Sequence, residues 1–230
     1  MVAESLLLLF GAYLLGALPF TVAVAVSNGI DPSEGDLHIA LWYKVGPTYA
    51  VAATVVDIAK GAFPVLMGYG FSLPVGAVAF AGVAATAGQM WPPLRGHGEK
   101  GNSTGVGALL VLFLAYEAYA GLLCLGLFAV GAVFRYSELM SLADVRGTAP
   151  GAGYLLLPLC MLLGFGVAPV LAWLSNAPSG LTLGLLFLFL AIVLRRLTAG
   201  LGQDISVGAS LGPVLVRRVL FDRSLVTRDS

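Results

Sequence analysis

Long apolar runs alternate with short polar stretches along nearly the whole chain, and the runs have the length a bilayer requires. Leu6 to Val26 reads as a first span, with Pro19 in Gly16-Ala-Leu-Pro-Phe20 expected to kink it. Ser27 to Gly46 is polar and carries Asp31, Glu34, Asp36, His38 and Lys44. A second span runs from Tyr49 to about Met67 and a third from Leu73 to Met90, joined by a tight turn at Gly68-Tyr-Gly-Phe-Ser72. Ser103 to Tyr136 is too long for one span, so Glu117 is expected to break it into a short helix out and a second helix back. Arg135 to Arg146 reads as a polar loop, and Tyr154 to Leu174 and Leu181 to Leu194 as the last two spans. Residues 1–200 thus form one transmembrane helical domain. Residues 201–230 form a cytoplasmic tail whose Val214-Leu-Val-Arg-Arg-Val-Leu-Phe221 piece suits a membrane surface.

Composition agrees with the pattern. Of the 230 residues 59% are hydrophobic and 10% charged, where a soluble domain carries about 25% charged residues. The fold class is therefore all-α, a polytopic integral membrane protein. Charge fixes the count: with seven crossings and the N-terminus outside, Lys44, Arg95, Lys100, Arg135, Arg146, Arg195, Arg196 and the tail arginines all fall inside. Six crossings would strand Arg135 and Arg146 on the wrong side. The formal net charge is zero and the basic residues are scattered, which argues against nucleic acid. Cys124 and Cys160 sit far apart in apolar runs and read as packing residues, so no metal or disulfide is expected.

The candidate chemistry centres on Arg95-Gly-His-Gly-Glu-Lys-Gly-Asn-Ser-Thr-Gly105, glycine-rich and lying between two apolar runs. Its glycines allow a tight turn, and Asn102, Ser103 and Thr104 lead into an apolar helix as an N-cap does. A helix N-terminus beside Lys100 suits an anion, for which phosphate is the candidate; a polar cytoplasmic turn is the alternative. Asp57 and Lys60 lie within the second span at i, i+3, on one helix face. They serve either a site or a pair that holds two helices together. Arg195 and Arg196 end the last span, as topological anchors or as headgroup ligands. His97 and His38 have the position of a base and equally that of solvated histidines.

Taken in order, these pieces resemble the bacterial membrane glycerol-3-phosphate acyltransferases that use acyl phosphate as donor. Gly16-Ala-Leu-Pro-Phe20 is similar to the family's Gly-Ser-Ile-Pro-Phe, and Gly29-Ile-Asp31 to the start of its first cytoplasmic loop. Asp57-Ile-Ala-Lys-Gly61 matches Asp-x-x-Lys-Gly. Trp91-Pro, then Gly98-Glu-Lys-Gly and Thr104, resemble the aromatic-Pro, Gly-Gly-Lys and Thr loop. Ser141-Leu-Ala and Arg195-Arg-Leu-Thr-Ala-Gly200 are fainter echoes. The chain departs where the family's Ser-Gly-Asn stretch is missing between Asp31 and Gly46. It departs again at Gln89, which replaces a His, and at Leu190 to Val193, apolar where the family has His and Asn.

The resemblance implies acyl transfer from acyl phosphate to glycerol 3-phosphate, without a cofactor, at the cytoplasmic face of the inner cell membrane. It implies Lys100, Ser103 and Thr104 at the reacting phosphate. Gly98, Gly101, Asn102, Arg95, His97, Asp57, Lys60, Gly61, Lys44, Ser141, Arg195 and Arg196 would bind substrate. The departures leave room for a second reading, a paralogue that binds acyl phosphate or lysolipid without turnover. A third is a small transporter using Asp57 and Lys60. Oligomeric state has no signature in the sequence.

Overall fold

The computed structural model describes residues 1–32, 36–93, 98–141, 152–206 and 210–222. Helices dominate: α1 (Val2–Ala17), α2 (Phe20–Ser27), α3 (Leu37–Lys44), α4 (Pro47–Gly70), α5 (Val75–Met90), α6 (Asn102–Ala115), α7 (Leu123–Ser141), α8 (Ala152–Leu174), α9 (Ser179–Thr198), α10 (Leu201–Ser206) and α11 (Leu211–Phe221). Five helical stretches are long and apolar enough to cross a membrane: Val2–Ser27, Pro47–Gly70, Tyr119–Glu138, Leu155–Leu174 and Ser179–Thr198. Val75–Met90 and Asn102–Ala115 are shorter apolar helices. Large apolar side chains such as Phe10, Phe63, Val133, Trp173 and Leu183 point outward around the bundle, a surface suited to lipid.

Both expected breaks occur. Leu18 takes an extended conformation ahead of Pro19, ending α1, because proline cannot donate to the helix ladder. The break frees the Leu18 carbonyl, and Lys60 Nζ donates to it at 2.9 Å, answering the demand that backbone groups at membrane depth be satisfied. Glu117 lies in the left-handed region at φ +55°, between α6 and the short 3-10 helix Tyr119–Leu122 that leads into α7.

Two expectations are corrected. The polar stretch after α2 contains a helix, α3, capped by Asp36, whose side chain accepts from the His38 N–H at 3.2 Å. Leu37 and Leu41 anchor it in a cluster with Ala25, Ile30, Trp42, Ala50 and Ala53. Arg135 does not open a loop: α7 continues to Ser141, and Arg135, 8% exposed, pairs with Glu138 at 3.4 Å one turn on. Residues 142–151, including Arg146, lie outside the described residues.

α1 packs on α5, α4 on α6, α5 on α9, and α7 on α8. The main core is apolar, built from Leu109, Leu112, Phe113, Phe128, Phe165, Leu185 and Ile192 among others. Glycines bring α4 and α6 into backbone contact: a Cβ on Gly61 would strike the Thr104 carbonyl, and one on Gly107 the Ile58 carbonyl. This contact carries the polar residues of α4 up to the start of α6. α2, α3, the 98–101 loop, the end of α7 and the tail helices meet at one end of the bundle.

Candidate active site

At that end lies a cavity of about 1200 Å³. Its polar wall holds His38, Glu99, Lys100, Asn102, Ser103 and Arg195, and its apolar wall holds Leu125, Phe128, Ala129, Ala132, Leu157 and Met161 from α7 and α8. The loop of 98–101 is shaped from both sides. The Glu99 N–H donates to the Gln89 carbonyl at 3.0 Å, while Arg195 of α9 donates from Nε to the Glu99 carbonyl at 3.2 Å and from Nη2 to the Gly98 carbonyl. Gly101, at φ +75°, turns the chain into α6. The cap is therefore Gly101, not Asn102 to Thr104, which already belong to the helix and whose N–H groups have no intrahelical acceptor. Asn102 and Ser103 line the cavity with Lys100 beside them, so this helix start suits an anion there.

Lys100 is half-exposed, its Nζ 3.4 Å from Asp36 Oδ2 and 3.3 Å from Asp222 Oδ2. The Asp222 charge, helped by Asp36, outweighs burial and holds the Lys100 ammonium above its ordinary pKa. The cation of this loop is therefore permanent.

Behind the polar wall is a buried charge network. Asp57, fully buried, pairs with Lys60 Nζ at 2.7 Å, accepts from the Thr21 hydroxyl at 3.2 Å and lies 3.3 Å from His38 Nε2. The other ring nitrogen, Nδ1, is 3.3 Å from Thr54 Oγ1, whose own proton goes to the Ala50 carbonyl at 2.9 Å. With that proton on Ala50, the Thr54 oxygen can accept from Nδ1–H while Nε2 donates to the carboxylate, an arrangement that suits the imidazolium form of His38. Burial works against that charge, yet the hydrogen bond to Asp57 and the charges of Asp36, Asp57 and Glu99 raise the His38 pKa. Glu99 is pushed up, by burial first and by Asp57 second, and its Oε2 accepts from Gln89 Nε2 at 3.0 Å. The ligand atoms of His38, Asp57 and Glu99 lie within 4.8 Å of one another, a grouping whose donors a metal ion could use.

The structure gathers Gly98, Lys100, Gly101, Asn102, Ser103, Arg195 and Arg196 around the cavity. Arg195 holds the loop from beneath, and Arg196 ties helices together, donating to the Pro158 and Val219 carbonyls at 2.9 and 2.8 Å. Asp57 and Lys60 stand behind the wall, and Gly61 is spent on helix contact. Thr104 is fully buried; its Oγ1 is 2.9 Å from the Asp57 carbonyl and 2.5 Å from Gln89 Oε1. It positions Gln89, and through it Glu99, rather than facing the cavity. Lys44 ends α3 on its exposed side, and Ser141 ends α7. Arg95 and His97 lie outside the described residues.

From the sequence His38 carried little weight, and Glu99, Gln89, Asp36 and Asp222 were not among the expected site residues. The signal for Asp36 was present, an Asp just before an apolar helix. Asp222 had none, since only the fold brings it to Lys100.

Comparison with known proteins adds three findings. Residues 6–207 match the family model described as glycerol-3-phosphate acyltransferase. A glycerol-3-phosphate acyltransferase of Methylobacillus flagellatus is 35% identical over 153 residues, covering 64% of this chain and 76% of that protein. One of Synechococcus sp. (strain CC9902) is 37% identical over 153 residues, covering 63% and 72%. Among solved structures, PlsY, an integral membrane glycerol 3-phosphate acyltransferase, superposes in its lysophosphatidic acid and glycerol 3-phosphate forms. Each gives a TM-score of 0.63 at 21% identity, covering 89% of this chain and 93% of that one. At that identity the likeness speaks to the fold.

Proposed function

The chain belongs to the glycerol-3-phosphate acyltransferase family, and from that premise we infer that it acylates the 1-hydroxyl of glycerol 3-phosphate with an acyl phosphate as donor. The hydroxyl oxygen bonds the acyl carbon as the carbon–oxygen bond to phosphate breaks. The departing phosphate takes the electron pair, and the hydroxyl proton balances its charge. The products are lysophosphatidate and inorganic phosphate.

One observation carries the reading: a single cavity joins a cation and free helix N–H groups to an apolar wall. Lys100 and the N–H groups of Asn102 and Ser103 take the phosphate of the donor and the charge that grows on it as it leaves. Leu125, Phe128, Leu157 and Met161 take the acyl chain. The donor is already activated, so the protein's main task is to hold two phosphates and one hydroxyl in register. Arg195 and the Thr104–Gln89–Glu99 chain serve that register by fixing the loop.

The same reading sets the topology at seven crossings, the two short apolar helices included, with the N-terminus outside and the cavity facing the cytoplasm of the inner membrane. It is supported by charge. Lys44, Lys100, Arg195, Arg196, Arg217 and Arg218 fall at the cavity end, whereas residues 71–74, 116–118 and 175–178 hold no Lys or Arg.

Lys100→Ala tests the assignment. The variant, folded in detergent, should lose about 100-fold or more in kcat/KM for acyl phosphate, the scale of removing a charge stabiliser at a reacting centre. Full acyl transfer by Lys100→Ala would remove Lys100 from the reaction.

A further inference from the structure

The family match stops at residue 207, and α11 lies beyond it, yet α11 is built into the site. Arg218, 2% exposed, donates from Nε to Asp204 Oδ2 at 2.7 Å and from Nη1 to the Ala199 carbonyl. Arg196 donates to the Val219 carbonyl at 2.8 Å, and Val214 is buried against the bundle. These contacts fix where the helix ends. At that end Asp222 adopts φ +53°, a left-handed conformation that aspartate tolerates better than most residues. From there its carboxylate reaches Lys100 at 3.3 Å, opposite Asp36 at 3.4 Å.

Resting on the reading of Lys100 as the phosphate cation, we propose that Asp222 is a specificity-determining residue, an internal anion that competes with substrate phosphate for Lys100. The competition has a defined winner. A carboxylate brings one charge and two acceptor oxygens, whereas a phosphate monoester brings close to two charges and three acceptors. The phosphate also gains the N–H groups at the start of α6, which Asp222 does not use. Anions with a single charge gain less and have the same ion pair to displace. The tail therefore sets a threshold at a membrane face crowded with singly charged phosphodiester headgroups, and it admits the phosphate monoester. A half-exposed lysine suits this role, because its ion pairs are weak enough to exchange.

The test is equilibrium binding of inorganic phosphate to the purified full-length protein, comparing wild type with Asp222→Asn, Asp222→Glu and Lys100→Ala. Asp222→Asn should tighten phosphate binding about three- to fivefold, the worth of a partly exposed ion pair. Asp222→Glu should stay near wild type. Tightening is a gain that damage to the fold does not produce. If Asp222→Asn binds phosphate equally or more weakly, Asp222 positions Lys100 and the inference is overturned while the phosphate role of Lys100 stands. If Lys100→Ala binds phosphate as wild type does, or if neither wild type nor Asp222→Asn binds it, both readings fall together.

Discussion

Asp57 shows how few polar residues this bundle needs when each has several partners. Its carboxylate, fully buried, answers Lys60, Thr21 and His38, and the backbone carbonyl of the same residue lies 2.9 Å from the Thr104 hydroxyl oxygen. Asp57→Asn takes from Lys60 and His38 the buried carboxylate they share, and breaking a buried pair in this way costs about 3–5 kcal/mol. Thermal unfolding in detergent should show a large drop in midpoint, and an unchanged midpoint would sink this account of the network. His38 adds a pH dependence. Its pKa is raised in the folded state above the ordinary 6.5, so its stabilisation is complete below that value and is lost as pH rises through the folded pKa. The unfolding midpoint should fall as pH rises from the ordinary histidine value through the raised one, and His38→Gln should flatten that fall. A slope that survives the substitution would assign it to another group. At this scale the sequence was half legible: Asp57 and Lys60 announce themselves as charges in an apolar run, spaced to pair. His38 does not, because a histidine in a polar stretch has no pattern until α3 is seen packed on α4.

At the scale of elements, the helix breaks were the most legible features. Pro19 and Glu117 act through local chemistry, a missing N–H in one case and a lone carboxylate in a long apolar run in the other. α3 was hidden because its eight residues make too short a helix to show a clear period among flanking charges. The end of α7 was hidden because Arg135 and Glu138 read as loop residues until they are seen to pair across one turn. The close contact of α4 against α6 was hidden in the glycines. Gly61 looked like part of a binding motif, whereas its structural role is to let Thr104 approach. Gly61→Val should push α4 from α6, costing about 1–3 kcal/mol as overpacking does, and should displace the Thr104–Gln89–Glu99 chain with it. The check is a paired measurement of thermal midpoint and acyl transfer. Loss of activity well below the unfolding temperature is expected, and a variant that keeps both would deny the contact its role.

Across the whole molecule, charge and apolarity are sorted by position. One end collects the cations, the capped helix starts and the cavity, and the flanks offer lipid a surface of large apolar side chains. The cavity's apolar wall lies between α7 and α8, so an acyl chain held there stays in a lipid-like setting while its headgroup meets Lys100 in water. This division was legible from composition and charge alone. What composition left out is the convergence of Gln89, Glu99, Lys100, Arg195 and Asp222, which come from distant parts of the chain and meet only in the folded bundle. This convergence is expected to catalyse acyl transfer despite the polar groups missing from the first loop and from Leu190 to Val193. Phosphate release by the purified protein, given palmitoyl phosphate with and without glycerol 3-phosphate, tests it most directly. Release that depends on glycerol 3-phosphate, with lysophosphatidate formed in equal amount, is the predicted result. No dependence, in protein that is folded and binds palmitoyl phosphate, would contradict it and leave a binding protein built on an acyltransferase frame.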